Sequence, residues 1–202
     1  MPILGNQLEL PRCPHCNVDH PSLNALVTGL STKDYSGGDH RIWKIYSCTR
    51  CGGVVTAAAF QDAGETIEMY PQAAVVNNSI PVRAREYLQQ ALDTLNSPAG
   101  SVMLSASAID AMLKAKGYKE GTLYARIKKA AEEHVITESM AEWAHKVRLD
   151  ANDQRHSDDV APLPDSQDAR RSIDFALALA QFMFVLPEMV NKGLKDAQQP
   201  KA

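Results

Sequence analysis

Four cysteines, arranged as two C-x2-C pairs, constrain the fold of this chain more than any other feature. The pairs are Cys13-Pro-His-Cys16 and Cys48-Thr-Arg-Cys51, with 31 residues between them. Two thiolates three positions apart on a tight turn converge on one cation, and two such turns supply four sulfur ligands in a tetrahedron. Because the chain opens without a basic-then-apolar leader, this spacing favours a metal site over disulfide bonds.

A site with four protein ligands is closed and structural, whereas a catalytic zinc ion keeps one open position. The sequence therefore predicts one structural zinc ion held by Cys13, Cys16, Cys48 and Cys51. Gly52 after the second pair, like Asn17 after the first, suits the positive φ that lets the backbone wrap around the sulfurs. Two alternatives stay open: a pair of redox motifs, and a site in which one cysteine is replaced by His15, His20 or His40.

The N-terminal part of the chain has the pattern of a small β domain. Three segments rich in β-branched and aromatic residues predict strands, at 41–47, 54–60 and 66–70, and a glycine-containing loop is predicted at 33–40. The two C-x2-C turns and the predicted strands together indicate a zinc ribbon over residues 1–77. A domain of this size with few large apolar side chains would depend on its metal ion for folding.

The remaining sequence has a helical pattern, which gives an α+β fold class: a small β zinc ribbon followed by an all-α bundle of about five helices. The bundle is predicted over residues 78–197, with a frayed tail at 198–202. Apolar residues recur at helical spacing, and a break or kink is expected at Pro187. The predicted helix starts are marked by Pro81, Pro98, Thr122, Thr137 and Asp165 or Ser166.

Composition limits the classes of function. The chain has 21 Lys and Arg residues against 24 Asp and Glu residues, a net charge of -3. A protein that binds nucleic acid through bulk charge is clearly basic, so any such contact here requires a local patch. The longest apolar stretch, at 175–186, is shorter than the roughly 20 residues that span a bilayer. We therefore expect a cytoplasmic protein with no membrane contact.

A polar stripe in the helical part is the candidate catalytic site. Arg148, Asn152 and His156 follow one another at intervals of four, so they share one face of a continuous helix. An imidazole can move protons near neutral pH, and a guanidinium can stabilise charge on a phosphorus. In the alternative, structural interpretation the same three side chains end the helix and bond the following loop. Their ion-pair partners are then the nearby aspartates Asp150, Asp153, Asp158 and Asp159.

Seven short motifs occur in order along most of the chain. They are Cys13-Pro-His-Cys16, Trp43-Lys-Ile-Tyr-Ser-Cys-Thr-Arg-Cys-Gly52, Ile80-Pro81, Ala108-Ile-Asp-Ala-Met-Leu113, Leu123-Tyr-Ala-Arg-Ile127, Arg148-x3-Asn152-x3-His156 and Phe182-Met-Phe-Val-Leu-Pro187. This combination resembles the bacterial family of domain of unknown function 4145. The helical part of that family is similar to HEPN domains, which are small helical bundles. The resemblance implies a HEPN-like bundle, frequent dimerisation and, in many HEPN domains, metal-independent ribonuclease activity from an Arg and His pair.

Two functions follow as hypotheses. In the first, the protein binds RNA or another nucleic acid in a defence or stress context and possesses ribonuclease activity. Arg148 and His156 would then act at the phosphodiester, and the bundle would form a homodimer. In the second, the protein is a non-catalytic protein–protein adaptor. The seven residues between Arg148 and His156, more than in the HEPN ribonuclease pair, favour the second hypothesis.

Overall fold

A computed structural model describes residues 1–72, 76–156 and 162–198 of the chain. The chain divides into two compact units, Met1–Ala74 and Val75–Ala202. Two of the aspartates proposed as ion-pair partners, Asp158 and Asp159, lie outside the described residues, as does the predicted tail beyond Gln198.

The first unit is a five-stranded antiparallel sheet in which each strand pairs with the next one along the chain. Its strands are β1 (Gln7–Leu8), β2 (Leu23–Thr32), β3 (Arg41–Cys48), β4 (Val54–Ala59) and β5 (Glu68–Tyr70). The three predicted strands correspond to β3, β4 and β5. The long β2 was not predicted, because its register shifts twice between Ala25 and Leu30 and most of its residues are exposed. These irregularities disrupt the alternation of apolar and polar residues that marks a strand.

The core of the sheet unit is small, and two of the cysteines belong to it. Cys13 and Cys48 are buried in the same cluster as Leu8, Leu23 and Tyr46. The apolar part of this core is therefore continuous with the cysteine cluster, so whatever the cysteines hold is attached directly to the interior of the sheet.

The second unit consists of five helices among the described residues, when Ser166–Gln198 is counted as one continuous helix. This confirms the predicted α+β class with a helical C-terminal part. The helices are α1 (Val82–Asp93), α2 (Pro98–Ala115), α3 (Leu123–Glu132), α4 (Glu138–His156), α5 (Ser166–Ala180) and α6 (Leu186–Gln198), with a π-helical segment, Gln181–Val185, joining the last two.

Hydrogen bonds confirm the predicted helix starts at Thr122, Thr137 and Asp165, whereas α1 and α2 begin next to Pro81 and at Pro98 with no side-chain cap. The Thr122 hydroxyl accepts the Ala125 amide at 3.3 Å. Asp165 forms a capping box with Asp168 at the start of α5. Because such caps satisfy amide groups that have no partner within the helix, they fix where each helix begins. The most central helix is α2, which packs against α1, α3, α4 and α5.

Pro187 changes the last helix in a way the sequence indicated only in part. A proline has no amide hydrogen, and its ring displaces the carbonyl four residues earlier. Instead of a break at Pro187, the turn before it widens, and the Leu186 amide donates to the Gln181 carbonyl five residues back. Ser166–Gln198 is long and apolar enough to cross a membrane by length and composition, but its first part, α5, packs seven residues into the helical core.

Candidate functional site

The four cysteines form one cluster with the geometry of a metal centre. Their Sγ atoms all lie within 4.8 Å of one another, and the Sγ atoms of Cys13 and Cys51 are 4.0 Å apart. A tetrahedral ion with bonds of about 2.3 Å to sulfur needs sulfur atoms about 3.8 Å apart. The cluster therefore fits a single metal ion with little movement of the side chains.

The two cysteine turns have the same backbone conformation. In the first, the Asn17 amide donates to the Cys13 carbonyl at 2.9 Å, and in the second the Gly52 amide donates to the Cys48 carbonyl at 2.8 Å. Asn17 has a φ of 55° and Gly52 a φ of 70°, as the sequence predicted. The two turns bring their four sulfurs into one cluster, so the backbone of both turns positions the ligands.

None of the three nearby histidines belongs to the clustered ligand atoms of the described residues. The His15 ring bonds the Val54 carbonyl at 2.8 Å and lies on Gly53, where an added Cβ would come within 2.5 Å of the ring. His20 faces its neighbouring aspartate, and His40 is exposed. The donor set is thus four sulfurs.

Protons compete with the metal ion for these sulfurs. Burial raises the pKa of the Cys16 thiol to about 12, and it also raises the pKa of Cys13. Metal ions bind thiolates, so binding has to displace these protons. Loading of the centre is therefore expected to weaken as the pH falls.

A cleft of about 980 Å³ lies in the helical unit, with walls from α1, α2, α3 and α4. The residues that line it are strongly biased in charge, although residues 81–202 carry 16 basic and 17 acidic side chains in total. One acidic residue, Asp110, lines the cleft. Six basic residues line it: Arg83, Lys114, Lys119, Arg126, Arg148 and Arg155.

Asp110 fixes two of these cations in place. Its carboxylate pairs with Arg126 at 2.6 Å and with Lys114 at 2.5 Å. Arg126 also donates to the carbonyls of Lys119 and Gly121, which joins α2 to the start of α3. Arg126 therefore supports the wall of the cleft, and the net positive charge comes from the other basic residues.

Arg148 is the basic residue best prepared for a ligand. It is half-buried, and its guanidinium carbon lies 5.6 Å from the centre of the Tyr124 ring. Its Nε atom is buried and has no hydrogen-bond partner among the described residues. A buried donor without a partner is costly, so a ligand that accepts its hydrogen bond would bind there favourably.

The structure brings together two of the three residues of the predicted stripe. Arg148 and Asn152 line the cleft, whereas His156 is the exposed last residue of α4 and does not line it. Arg155, which the sequence analysis did not select, does line the cleft. Its spacing of seven from Arg148 places both on one helix face, and this signal was available in the sequence.

Tyr124 and His145 are functional candidates that could not be found from the sequence. Their rings stack with centroids 4.7 Å apart, although they come from different helices, α3 and α4. Burial, together with the nearby charge of Arg148, lowers the pKa of His145 below its usual value. The imidazole is therefore neutral near pH 7, and it supports the Tyr124 ring without adding charge.

The helical unit matches a known protein family. The family model described as domain of unknown function (DUF4145) matches residues 88–197 of the chain. This chain belongs to the DUF4145 family. None of the curated proteins and none of the solved structures matches the chain. The DUF4145 match covers the walls of the cleft from α2, α3 and α4, while Arg83 and Tyr87 on α1 and the four-cysteine centre lie outside it.

Proposed function

We propose that this DUF4145 protein binds RNA in the cleft of its helical unit and that its four cysteines hold one structural zinc ion. The observation that carries the proposal is the excess of six basic residues over one acidic residue around the cleft. Phosphate groups dominate the affinity of nucleic-acid binding, and arginine contacts them with paired donors. A cytoplasmic role in defence or stress is part of the proposal through the family resemblance.

Zinc is the metal ion proposed for the cysteine centre. Four thiolates in a tetrahedron suit zinc, which has no redox chemistry of its own and leaves no open position in such a site. Cys13 and Cys48 belong to the buried core of the sheet. The ion would therefore hold the sheet unit together, and Cys51, which is exposed, would be the ligand nearest to solvent.

A more specific part of the proposal is that the protein cleaves the RNA that it binds. This part is based on the resemblance to HEPN domains. A base would take the proton of a ribose 2′-hydroxyl, the oxygen would attack the adjacent phosphorus, and the 5′ oxygen would leave with a proton. Arg148 would stabilise the charge on the phosphorus, Asn152 would orient the phosphate, and His156 would transfer the proton. This role requires His156 to reach the ligand from the end of α4.

The test is RNA binding and cleavage by purified, zinc-loaded protein in buffer without added metal. Labelled single-stranded RNA and DNA of the same sequence would be titrated against wild type, Arg148→Gln and His156→Ala. Lys128→Gln is the matched control, because Lys128 is an exposed cation of α3 that does not line the cleft. Circular dichroism would first establish that all four proteins are folded.

We expect Arg148→Gln to lower RNA affinity about tenfold, the effect of losing one charge-assisted hydrogen bond. Lys128→Gln should leave the affinity unchanged. RNA cleavage lost in His156→Ala would support the ribonuclease step, and equal cleavage in that variant would exclude His156 from it. If Arg148→Gln and Lys128→Gln bind RNA as wild type does, the cleft is not the binding site.

A second candidate function is the protein–protein adaptor, and α6 favours it. No residue of α6 is buried, and Leu186, Met189, Val190 and Leu194 expose large apolar side chains. Most of the stability of a helix in a protein comes from the packing of its apolar face, so contact with a partner would stabilise α6. The homodimer of the first hypothesis would cover the same apolar side chains, so self-association has to be measured first. Sedimentation of wild type and Leu194→Glu would test it, since the charge should abolish self-association.

A further inference from the structure

Two tyrosine and arginine pairs line the cleft on different helices. On α1, the guanidinium carbon of Arg83 lies 6.0 Å from the centre of the Tyr87 ring. On the other wall, Arg148 of α4 lies 5.6 Å from the Tyr124 ring of α3. Both tyrosines and both arginines are lining residues. Each pair combines a flat aromatic ring with a positive charge.

Tyr124 has the properties of a stacking surface. Tyr124 is 51% exposed, so part of the residue is open to a ligand although His145 and Arg148 both lie against its ring. His145 stacks on the ring, and the tyrosine therefore keeps one orientation instead of rotating freely. A large exposed aromatic group that is held in position at low entropic cost is suited to contact another flat ring.

We infer that the cleft binds unpaired nucleotides, with a nucleobase stacked on Tyr124 beside a phosphate on Arg148, and a second base and phosphate at Tyr87 and Arg83. This inference rests on the proposed function and specifies its substrate class as single-stranded RNA. Bases in a duplex are stacked on one another and cannot present a face to a protein side chain, whereas bases of a single strand can.

The alternation of aromatic rings and positive charges in the cleft favours a nucleic-acid strand over a simple polyanion as the ligand. A polyanion such as polyphosphate needs cations alone, and an acidic peptide has no flat ring in each unit. One nucleotide carries one base and one phosphate, which is the combination that each tyrosine and arginine pair offers. The cleft volume of about 980 Å³ is at the upper end of the roughly 300–1,000 Å³ usual for small-molecule sites, so more than a lone phosphate fits.

The experiment compares four probes on the full, metal-loaded chain: a single-stranded RNA oligomer, the same RNA as a duplex, an acidic peptide, and inorganic polyphosphate of equal charge. The variants are Tyr124→Leu, which removes the ring, Tyr124→Phe, which keeps it, and Arg148→Gln. Circular dichroism and thermal unfolding would show that each variant is folded.

We expect Tyr124→Leu to lower the affinity for single-stranded RNA roughly tenfold, since stacking acts on bases only. Its affinity for polyphosphate should not change. Tyr124→Phe should bind single-stranded RNA as wild type does. Arg148→Gln should lower the affinity for both RNA and polyphosphate. The slope of RNA affinity against salt concentration should fall by about the amount of one phosphate contact. Duplex RNA should bind more weakly than the single strand.

Two results would overturn the stacking inference and leave phosphate binding in place. One is equal affinity of wild type for RNA and polyphosphate, and the other is unchanged RNA affinity in Tyr124→Leu. A higher affinity for the acidic peptide than for single-stranded RNA would also overturn the stacking inference, in favour of a protein ligand. If neither RNA nor polyphosphate binds wild type, the proposed function itself fails.

Discussion

The sheet unit and the helical unit reach stability by different means. In the described residues, the core cluster of the sheet unit contains 10 buried residues, of which two are cysteines, whereas that of the helical unit contains 29. Burial of apolar surface is the main favourable term in folding, so the helical unit has much the larger supply of it. A metal ion held by the four cysteines would supply part of this difference, since ion binding by such a site contributes directly to folding.

The largest expected effect follows from breaking the metal centre. Cys13→Ser removes a buried ligand, and structural zinc contributes on the order of 10 kcal/mol in small zinc domains. We expect the sheet unit to unfold and the helical unit to remain folded. Circular dichroism and metal analysis would measure the loss of strand signal and of about one ion per chain, respectively.

His40→Ala is the control for that experiment, because His40 is exposed and lies outside the sulfur cluster. It should retain both the metal ion and the fold. A folded sheet unit in Cys13→Ser with no bound metal would show that the small core is sufficient, which would remove the difference between the units.

A core substitution in the helical unit is expected to have a smaller effect of a different kind. Ile109 is fully buried on α2. Ile109→Ala would lower the free energy of unfolding by about 2–5 kcal/mol, because it removes apolar contacts and leaves a cavity. Thermal or urea unfolding would measure the loss, and metal content should stay at the wild-type value. Loss of the metal ion in this variant would contradict the independence of the two units.

The smallest expected effect concerns pH and His145. Burial and the charge of Arg148 lower its pKa in the folded state, so the fold favours the neutral ring. The resulting stability is present above the unfolded pKa of about 6.5 and is lost as the pH falls through the lower folded pKa. His145→Phe keeps a ring against Tyr124 but cannot take a proton.

The melting temperature of the helical unit should therefore fall less between pH 7 and pH 5 in His145→Phe than in wild type. His40→Gln serves as the comparison for a histidine outside this environment. An equal fall in wild type and His145→Phe would show that protonation of His145 does not contribute to acid sensitivity.

Much of the fold could be predicted because its signals are local. Asp165 and Thr122 are caps that act on amides within three residues, so the start of a helix can be identified in the sequence itself. Strand β2 could not be identified in this way. Its two register shifts depend on pairing with β3, which is a contact between distant residues.

The same contrast between local signals and contacts of distant residues applies to the candidate sites. The cysteine ligands were predictable because two residues on one turn are fixed by their spacing, and the donor chemistry of sulfur limits the ions that bind. Arg148 and Asn152 could be placed on one face of α4, but the sequence did not show that this face forms a wall of a cleft. The partners of that face come from α1, α2 and α3.

The sequence by itself determined the four-sulfur centre, the α+β class and the start of most helices, since each depends on the chemistry of residues close together in the chain. Tertiary structure alone decided that Tyr124 stacks on His145 and that Arg148 has a buried Nε without a hydrogen-bond partner among the described residues. It also decided that six of the 16 basic residues at 81–202 line one cleft with a single acidic residue. These features depend on how helices pack, which brings together side chains that are far apart in sequence.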